Sequence, residues 1–225
     1  MKNGRINPNL VHAVVPLKVL KKSKTRLSPI LEPKERAELT IAMLEDVLSA
    51  LKKSSMVDSI TVVSADRNVL RYVRQLGADS LAEGRRRGLN NAIRQVIRKR
   101  KLSNSVVLVV HADLPLLTSG EVCAFLKEAQ DCPIAIAPSK DETGTNAMLL
   151  NPAQIIHPAF GKESYRRHLS ILDRKRIPFK VQRIRGFGFD IDEPNDLLEL
   201  MHNGARNKTA RFLRAIRNRD YQRAA

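Results

Sequence analysis

The sequence predicts an α/β protein in which a mostly parallel sheet lies between two layers of helices. Short apolar strands alternate along the chain with longer segments of helical periodicity, as in proteins built from β-α-β units. Residues 106–110 are consecutive aliphatic residues, which is typical of a strand buried on both faces. The 225 residues, 43% of them hydrophobic, suffice for the full core of one domain.

The first half of the chain alternates strands and helices. Residues 12–16 and 60–63 are short apolar runs, and we predict a strand at each. Residues 33–53 between them carry their apolar side chains on one helical stripe. A second helix continues through Leu76, and Gly77 suits the left-handed conformation of its C-cap.

Three further elements complete this alternation. Gly88 precedes a helix whose isoleucine and valine side chains point inward. Strand 106–110 follows, and then a helix that begins at Thr118, because Thr118 and Glu121 have the spacing of a capping box. Residues 134–137 form another predicted strand.

The pattern changes after a polar loop at residues 141–146. We predict a short strand at residues 147–150, a helix that opens at Phe160-Gly161 and runs to about Lys175, a partly exposed strand at residues 179–184, and a final helix near Pro194. We divide the chain into a main domain, residues 1–205, and a basic helical tail, residues 206–225.

The charge balance points to anionic partners. Lys and Arg total 40 against 23 Asp and Glu, a formal net charge of +17, which attracts nucleic acid, membrane surfaces or phosphorylated small molecules. Arg85–Arg87 and the arginines of the tail would suit a nucleic-acid-binding module. Aromatic residues make up only 4% of the chain and Trp is absent, which leaves few platforms for stacking bases and disfavours nucleic acid as the partner.

The remaining bulk properties indicate a cytoplasmic protein. No apolar run approaches the length of a membrane span, so we expect no membrane partner. The two cysteines, Cys123 and Cys132, have neither the spacing of a zinc site nor the number needed for a disulfide framework. We therefore expect reduced thiols.

Asp113 is the first candidate site residue. It directly follows the strand at residues 106–110, and ligands of open α/β sheets bind beyond the carboxyl ends of strands. A carboxylate there suits a hard cation such as Mg²⁺. Helix capping is the alternative role, but Thr118 already fits the cap of the next helix. His111, two residues earlier, is interpreted as packing at the strand end.

A basic loop after the first strand is a second candidate. It contains Lys18, Lys24 and Arg26 with Lys21 and Lys22, and no acidic residue. Loops at this position commonly cradle phosphates, although the Walker pattern is absent and a solvated loop is the alternative. Asp190 and Asp192 bracket one apolar residue, so in an extended segment both carboxylates face the same side. Together with Asp113 they could hold one or two Mg²⁺ ions, unless Asp192 only caps the following helix.

Glycines and hydroxyls form a third group. Gly144-Thr145-Asn146 and Gly161 with Ser164 could bring backbone N–H groups and hydroxyl donors to an anion, although ordinary turn chemistry explains such residues equally well. His168 lies one helical turn beyond Ser164 on the same face, where a structural role is the alternative to a catalytic one.

Seven short segments, in this order, resemble the 2-phospho-L-lactate guanylyltransferase family of coenzyme F(420) biosynthesis. They are A-V-V-P-L-K (13–18), S-K-T-R-L (23–27), L-N-N-A-I (89–93), A-D-L-P-L-L (112–117), G-T-N-A (144–147), F-G-x-x-S (160–164) and D-I-D-E-P-x-D-L (190–197). The resemblance implies a Rossmann-like nucleotidyltransferase fold, three-layer α/β/α with a mostly parallel sheet. It also implies an enzyme that joins GMP from GTP to a small phosphorylated carboxylic acid, 2-phospho-L-lactate or phosphoenolpyruvate, and releases pyrophosphate. Family members tend to be homodimers.

The resemblance also implies roles for individual residues. They fall into three groups: carboxylates that hold Mg²⁺, basic residues that meet the triphosphate, and residues that contact the nucleotide or the phospho-acid. By motif position these are Asp113, Asp190 and Asp192; Lys18, Lys24 and Arg26; and Leu89 and Asn90 for the nucleotide with Thr145, Asn146, Gly161, Ser164 and His168 for the phospho-acid.

Some features depart from the family or stay open. The first loop has no glycine, whereas related sugar nucleotidyltransferases have several, and the basic segment 85–101 is unexplained by the family chemistry. A molybdopterin guanylyltransferase would share the fold, and a sugar nucleotidyltransferase would share the use of aspartates to hold Mg²⁺; both stay open as alternatives. The residues alone identify neither the base nor the native phospho-acid.

Overall fold

The computed structural model describes residues 10–20 and 23–224, and its centre is a seven-stranded sheet of order β3-β2-β1-β4-β6-β5-β7. β6 is antiparallel to both of its neighbours, and the other strand pairs are parallel. The strands are β1 (Val11–Leu17), β2 (Ser59–Ser64), β3 (Asp79–Ala82), β4 (Val106–Val110), β5 (Ile134–Pro138), β6 (Thr145–Leu150) and β7 (Phe179–Val181).

Helices cover both faces of the sheet, so the predicted three-layer fold is confirmed. They are α1 (Pro33–Lys53), α2 (Arg67–Gln75), α3 (Leu89–Lys99), α4 (Ser119–Glu128), α5 (Ser164–Lys175), α6 (Arg185–Gly188), α7 (Pro194–His202) and α8 (Lys208–Ala224), with a 3-10 turn at Thr25–Leu27. Helices α1, α2 and α4 bury their apolar sides on one face of the sheet, and α3 and α5 bury theirs on the other.

Most predicted elements agree with the structure, but the helix expected from Phe160 starts later, and the strand expected at residues 179–184 ends at Val181. The helix expected from Phe160 begins at Ser164, because Gly161 (φ +119°) and Glu163 (φ 53°) have positive φ values that helical backbone does not adopt. Asp192 does not cap α7. The N-cap is Glu193, which forms a capping box with Asp196. The capping box predicted for Thr118 and Glu121 is present.

The basic tail packs on the main domain. Leu213 and Ile216 of α8 are buried in a third apolar cluster with Leu27 and with side chains of α1 and α7. Asp46 of α1 binds the first turn of α8. Leu213 and Ile216 are therefore unavailable to a partner subunit, because this chain itself buries them.

Some predicted features lie outside the described residues. Lys21 and Lys22 of the basic loop belong to this group, as do the side chains of Arg217 and Arg219 in the tail. Within the described part of the chain, both cysteines are free thiols, and no helix is long and apolar enough to cross a membrane.

Candidate active site

The order of the strands places the site. β1 and β4 are parallel neighbours; the chain leaves β1 toward β2 on one side of the sheet and leaves β4 toward β5 and β6 on the other. Such a reversal opens a crevice at the carboxyl ends of the strands. β6 runs antiparallel to β4, so its amino end lies at the same edge, where the His111 backbone N–H donates to the Asn146 carbonyl at 2.9 Å. This edge thus combines residues after β1, residues after β4 and the first residues of β6.

Lys24 links two of the predicted carboxylates. Its Nζ lies 2.5 Å from Asp113 Oδ2 and 2.8 Å from Asp192 Oδ1, and its side chain is only 7% exposed. Burial opposes the charged form, but the two neighbouring carboxylates outweigh it and raise the pKa of Lys24 above its ordinary value. Lys24 is therefore a permanently charged ammonium group at neutral pH.

Asp113 is ionised and has one free oxygen. Burial favours the protonated acid, but the attraction of Lys24 holds the pKa of Asp113 below its usual value. Its Oδ2 binds Lys24, whereas its buried Oδ1 has no hydrogen-bond partner within residues 10–20 and 23–224. Buried carboxylate oxygens nearly always have a partner, so Oδ1 is a candidate ligand atom for a cation.

The pKa of Asp190 is raised, in contrast to that of Asp113. Burial and the charges of Asp113 and Asp192 raise its pKa to about 6, against a hydrogen bond from Asn146 Nδ2 at 3.0 Å that lowers it. The acidic segments are also joined through the backbone, since the Ile191 N–H donates to the Asp113 carbonyl at 3.2 Å. The three aspartates, which come from two segments far apart in sequence, therefore belong to one site, where their charges repel one another.

The carboxylates do not yet form a closed metal site. Among the described residues, no group of three or more His, Cys, Asp or Glu side chains has an arrangement that could hold a metal ion, and Lys24 lies between Asp113 and Asp192 instead. Two observations nevertheless fit a cation, namely the unpartnered Asp113 Oδ1 and the raised pKa of Asp190. Both indicate that one further positive charge would stabilise this edge.

The other two predicted basic residues lie at the rim. The Arg26 side chain is 69% exposed, with Nη1 at 3.6 Å from Glu193 Oε1 and 4.0 Å from Asp192 Oδ2. Lys18 follows β1 and is exposed, and its charge helps to lower the pKa of His111 after the larger effect of burial. Both groups can approach an anion that enters the crevice.

Thr145, Ser164 and His168 form a buried network beside the carboxylates. Ser164 Oγ accepts from the Thr145 N–H at 2.9 Å, and His168 Nδ1 lies 2.9 Å from Thr145 Oγ1. His168 Nε2 accepts from the Ala159 N–H at 2.9 Å, which requires the neutral tautomer with the proton on Nδ1. Burial lowers the pKa of His168 to about 4, in agreement with that tautomer. His168 thus has protein partners on both ring nitrogens and braces the wall of the site.

Asn90 and Gly161 shape the adjacent loop. The Asn90 amide binds the backbone of Phe160 at both ends, with Oδ1 accepting from N–H at 2.8 Å and Nδ2 donating to the carbonyl at 3.0 Å. Leu89, the first residue of α3, packs its partly buried side chain on the core. At Gly161, φ is +119°, a conformation strained for any other residue. The structure gives Asn90 a positioning role that the motif alone did not reveal.

His111 is the site residue that sequence reasoning undervalued. Its ring lies 5.4 Å from that of Phe160, centroid to centroid, and Phe160 in turn lies 5.0 Å from His168. The available signal was its position between a fully buried strand and Asp113. Thr145 and Asn146, the first residues of β6, lie at this same edge.

Comparison with known proteins identifies the family. Residues 11–222 match the model of the family described as "Guanylyl transferase CofC like". The chain belongs to this guanylyltransferase family. The match favours a guanylyltransferase over the sugar nucleotidyltransferase, molybdopterin guanylyltransferase and nucleic-acid-binding alternatives.

Individual relatives agree with this assignment. The chain is 37% identical to phosphoenolpyruvate guanylyltransferase of Sphaerobacter thermophilus over 84% of its own length and 91% of the relative's. It is 39% identical to the enzyme of the same name from Rubrobacter xylanophilus, over 86% and 95%. It is 31% identical to 2-phospho-L-lactate guanylyltransferase of Methanobrevibacter smithii, over 92% and 91%.

Solved structures share the fold. A protein from Desulfovibrio desulfuricans G20 described as a nucleotide-diphospho-sugar transferase has a TM-score of 0.74 at 17% identity, covering 91% of this chain and 94% of that one. CMP:2-keto-3-deoxy-manno-octonic acid synthetase, solved with CTP, has a TM-score of 0.61 at 14% identity, covering 87% of this chain and 100% of the synthetase. These likenesses show a nucleotidyltransferase type of α/β fold.

Proposed function

We propose that this protein transfers the guanylyl group of GTP to the phosphate of phosphoenolpyruvate or 2-phospho-L-lactate, and releases pyrophosphate, in the biosynthesis of coenzyme F(420). The observation that carries the proposal is the convergence of Asp113, Asp190, Asp192 and Lys24 at the crevice between β1 and β4. The names of the relatives from S. thermophilus and M. smithii supply the two candidate acceptors.

The reaction is a displacement at phosphorus. An oxygen of the acceptor phosphate forms a bond to the α-phosphorus of GTP, the bond from that phosphorus to the β-phosphate oxygen breaks, and pyrophosphate leaves with the bonding electrons. Both reactants are anions, so the protein must offset their repulsion. Lys24, Lys18 and Arg26 supply positive charge at the crevice, and the excess of +17 over the whole chain draws both anions toward it.

Positioning contributes the remainder of the rate. Thr145, Gly161 and Ser164 would hold the phospho-acid through hydroxyl and backbone N–H groups, and the network of Ser164, Thr145 and His168 keeps that wall in place. The Asn90 amide fixes the Phe160 backbone next to Gly161, and Asn146 orients the Asp190 carboxyl through the bond at 3.0 Å. Leu89 and Asn90 would lie beside the nucleotide at the start of α3.

Asp113, Asp190 and Asp192 would hold one or two Mg²⁺ ions, with Asp113 Oδ1 as the ligand atom that already lacks a partner in the described chain. When bound, Mg²⁺ neutralises charge on the triphosphate and on the transferred phosphoryl group. We extend the proposal to a homodimer in the cytoplasm. The family resemblance supports the dimer, and the two free thiols are consistent with a reducing compartment.

A pyrophosphate-release assay tests the proposed function. The four ribonucleoside triphosphates are each combined with phosphoenolpyruvate, 2-phospho-L-lactate or 3-phosphoglycerate, with and without Mg²⁺. We expect release with GTP and one of the first two acids, only in the presence of Mg²⁺. Release that needs no phospho-acid, or that is equal for all nucleotides, would contradict the proposal. Light scattering of the purified protein tests the dimer.

A further inference from the structure

His111 is held at the junction of the two halves of the site. Its backbone N–H binds the Asn146 carbonyl at 2.9 Å, which fixes the residue where β4 ends and β6 begins. On one side its ring faces Phe160, at a centroid distance of 5.4 Å. It also lies close enough to Asp113, Lys24 and Lys18 for their charges to act on it. The residue therefore adjoins both the loop assigned to the phospho-acid and the charged groups of the crevice.

The Nε2 nitrogen of His111 has no hydrogen-bond partner among the described residues. Nε2 of His111 is buried, and no hydrogen-bond partner lies within reach in the part of the chain that the structure describes. His12 and His168, whose side chains are buried, each have partners on both ring nitrogens. Because buried polar atoms in folded proteins are nearly always satisfied, a free nitrogen at this position is available to bind a ligand.

The residues around the His111 ring indicate which ligand would reach it. Phe160 packs on the His111 ring and precedes Gly161, and the Thr145, Ser164 and His168 network lies behind Phe160. The acceptor phosphate must lie near this wall and must also reach the crevice, since it supplies the attacking oxygen. A histidine N–H at the junction can donate to a phosphate oxygen that does not attack.

We propose that His111 binds the acceptor, with its Nε2–H donating a hydrogen bond to the phosphate of the phospho-acid. This inference rests on the proposed function and adds to it a residue that binds the acceptor but not the nucleotide. In the free protein Nε2 has no partner among the described residues, and the acceptor phosphate supplies one.

Two substitutions of His111 and one control test the inference. Glutamine places an amide N–H at about the position of Nε2, whereas asparagine is too short and mimics Nδ1. We expect His111→Asn to raise KM for phosphoenolpyruvate by about 10- to 100-fold, the effect of losing a hydrogen bond to a charged group. KM for GTP should stay within about 2-fold, too small a change for a lost hydrogen bond. His111→Gln should recover most of the affinity for the acceptor. The control is His202→Asn, at an exposed histidine at the end of α7, and it should change neither constant.

The outcomes separate the two proposals. An unchanged acceptor KM in His111→Asn, or an equal rise in both KM values, would overturn the role of His111 while leaving the proposed function intact. Absence of turnover by the wild-type protein with every acid and nucleotide would overturn the proposed function, and this inference with it. If His111→Asn fails to fold, His111→Gln and His111→Leu are compared by calorimetric titration of phosphoenolpyruvate into protein saturated with a non-hydrolysable GTP analogue. Equal affinities of these two variants would also overturn the role.

Discussion

Lys24 Nζ lies 2.5 Å from Asp113 Oδ2 and 2.8 Å from Asp192 Oδ1, so one ammonium group holds two carboxylates that are far apart in the sequence. The backbone of Lys24 has φ 49°, which directs the chain sharply into the 3-10 turn that follows. The pair shows that the basic loop joins the two acidic segments of the site.

Replacement of Lys24 should disable the site. In Lys24→Met the carboxylates of Asp113 and Asp192 lose their shared counter-charge, and we expect turnover to fall by about two to three orders of magnitude, as when a preorganised charge-stabilising group is removed. Steady-state pyrophosphate release measures the effect. Lys34→Met removes a lysine that is 84% exposed and should leave turnover unchanged. A variant of Lys24 with near-normal turnover would show that the ion pair is dispensable.

Asp113→Asn tests the predicted carboxylate directly. The substitution keeps the shape of the side chain but removes its charge, and with it the proposed ligand for Mg²⁺. We expect turnover to fall by about two to three orders of magnitude. Asp131→Asn, at an exposed aspartate before β5, is the control. Wild-type turnover in Asp113→Asn would contradict a role for this carboxylate in the reaction.

Asn90 should act through the Phe160 loop. Asn90→Leu removes two hydrogen bonds to the Phe160 backbone, at 2.8 and 3.0 Å, and leaves that buried backbone without partners. We expect unfolding in urea to show a loss of about 1–3 kcal/mol. KM for the phospho-acid should rise more than KM for GTP, because the displaced loop carries Gly161. Asn91→Ala, which breaks an exposed bond to Arg87, should have little effect on either quantity. A larger change in KM for GTP would show that Asn90 acts mainly through its proposed contact with the nucleotide and not through the Phe160 loop.

The buried histidines should make stability depend on pH below neutrality. The pKa of His168 in the folded protein is about 4, below its ordinary value of 6.5, because burial disfavours the charged form. Between these two values the unfolded chain binds a proton that the folded protein does not. The contribution of His168 to stability is therefore fully present above about pH 6.5 and is lost as the pH falls toward 4.

This single group should lower the free energy of unfolding by about 2 kcal/mol between pH 7 and pH 5. Urea unfolding at the two pH values measures it. His168→Gln should be less stable at pH 7 but should lose less on acidification than the wild type. His12→Gln should behave in the same way, since burial lowers the pKa of His12 to about 4 as well. An identical loss on acidification in the wild type and both variants would refute this account.

Asp46 should control the attachment of α8. Its carboxylate accepts from the Lys208 and Thr209 N–H groups at 2.9 Å each and from Thr209 Oγ1 at 2.6 Å. Asp46→Ala leaves these buried donors unsatisfied, so we expect a loss of about 2 kcal/mol and faster proteolysis near residues 203–207. The control, Asp173→Ala, lies on the exposed side of α5. Unchanged protease sensitivity in Asp46→Ala would mean that apolar packing alone retains the helix.

Local patterns explain why much of the fold could be predicted. The buried run at residues 106–110, the stripe at residues 33–53 and the capping box of Thr118 are each encoded within one short segment, and the structure has the first two with identical bounds. β3 was missed, because its burial is only partial and its residues have no apolar alternation. The antiparallel direction of β6 depends on its pairing with β4 and β5, which no local pattern encodes.

The site was predictable to the extent that strand ends determine it. Asp113 and Lys18 follow adjacent parallel strands, so the sheet itself brings them to one edge. The partners of Lys24 and Asn90 could not be derived, because each binds a segment distant in sequence through a side chain whose direction depends on tertiary packing. The free nitrogen of His111 is likewise visible only once its surroundings are known.

Leu27, three residues after Lys24, packs in one buried cluster with Leu213 and Ile216. This packing has a consequence for biosynthesis. The ribosome synthesises the loop that holds Lys24 long before the side chains of α8 that pack against Leu27. A nascent chain that lacks residues 208–216 would already contain all seven strands of the sheet, yet Leu27 would lack its packing contacts from α8. Activity should thus require that α8 has been synthesised and has packed beside Leu27.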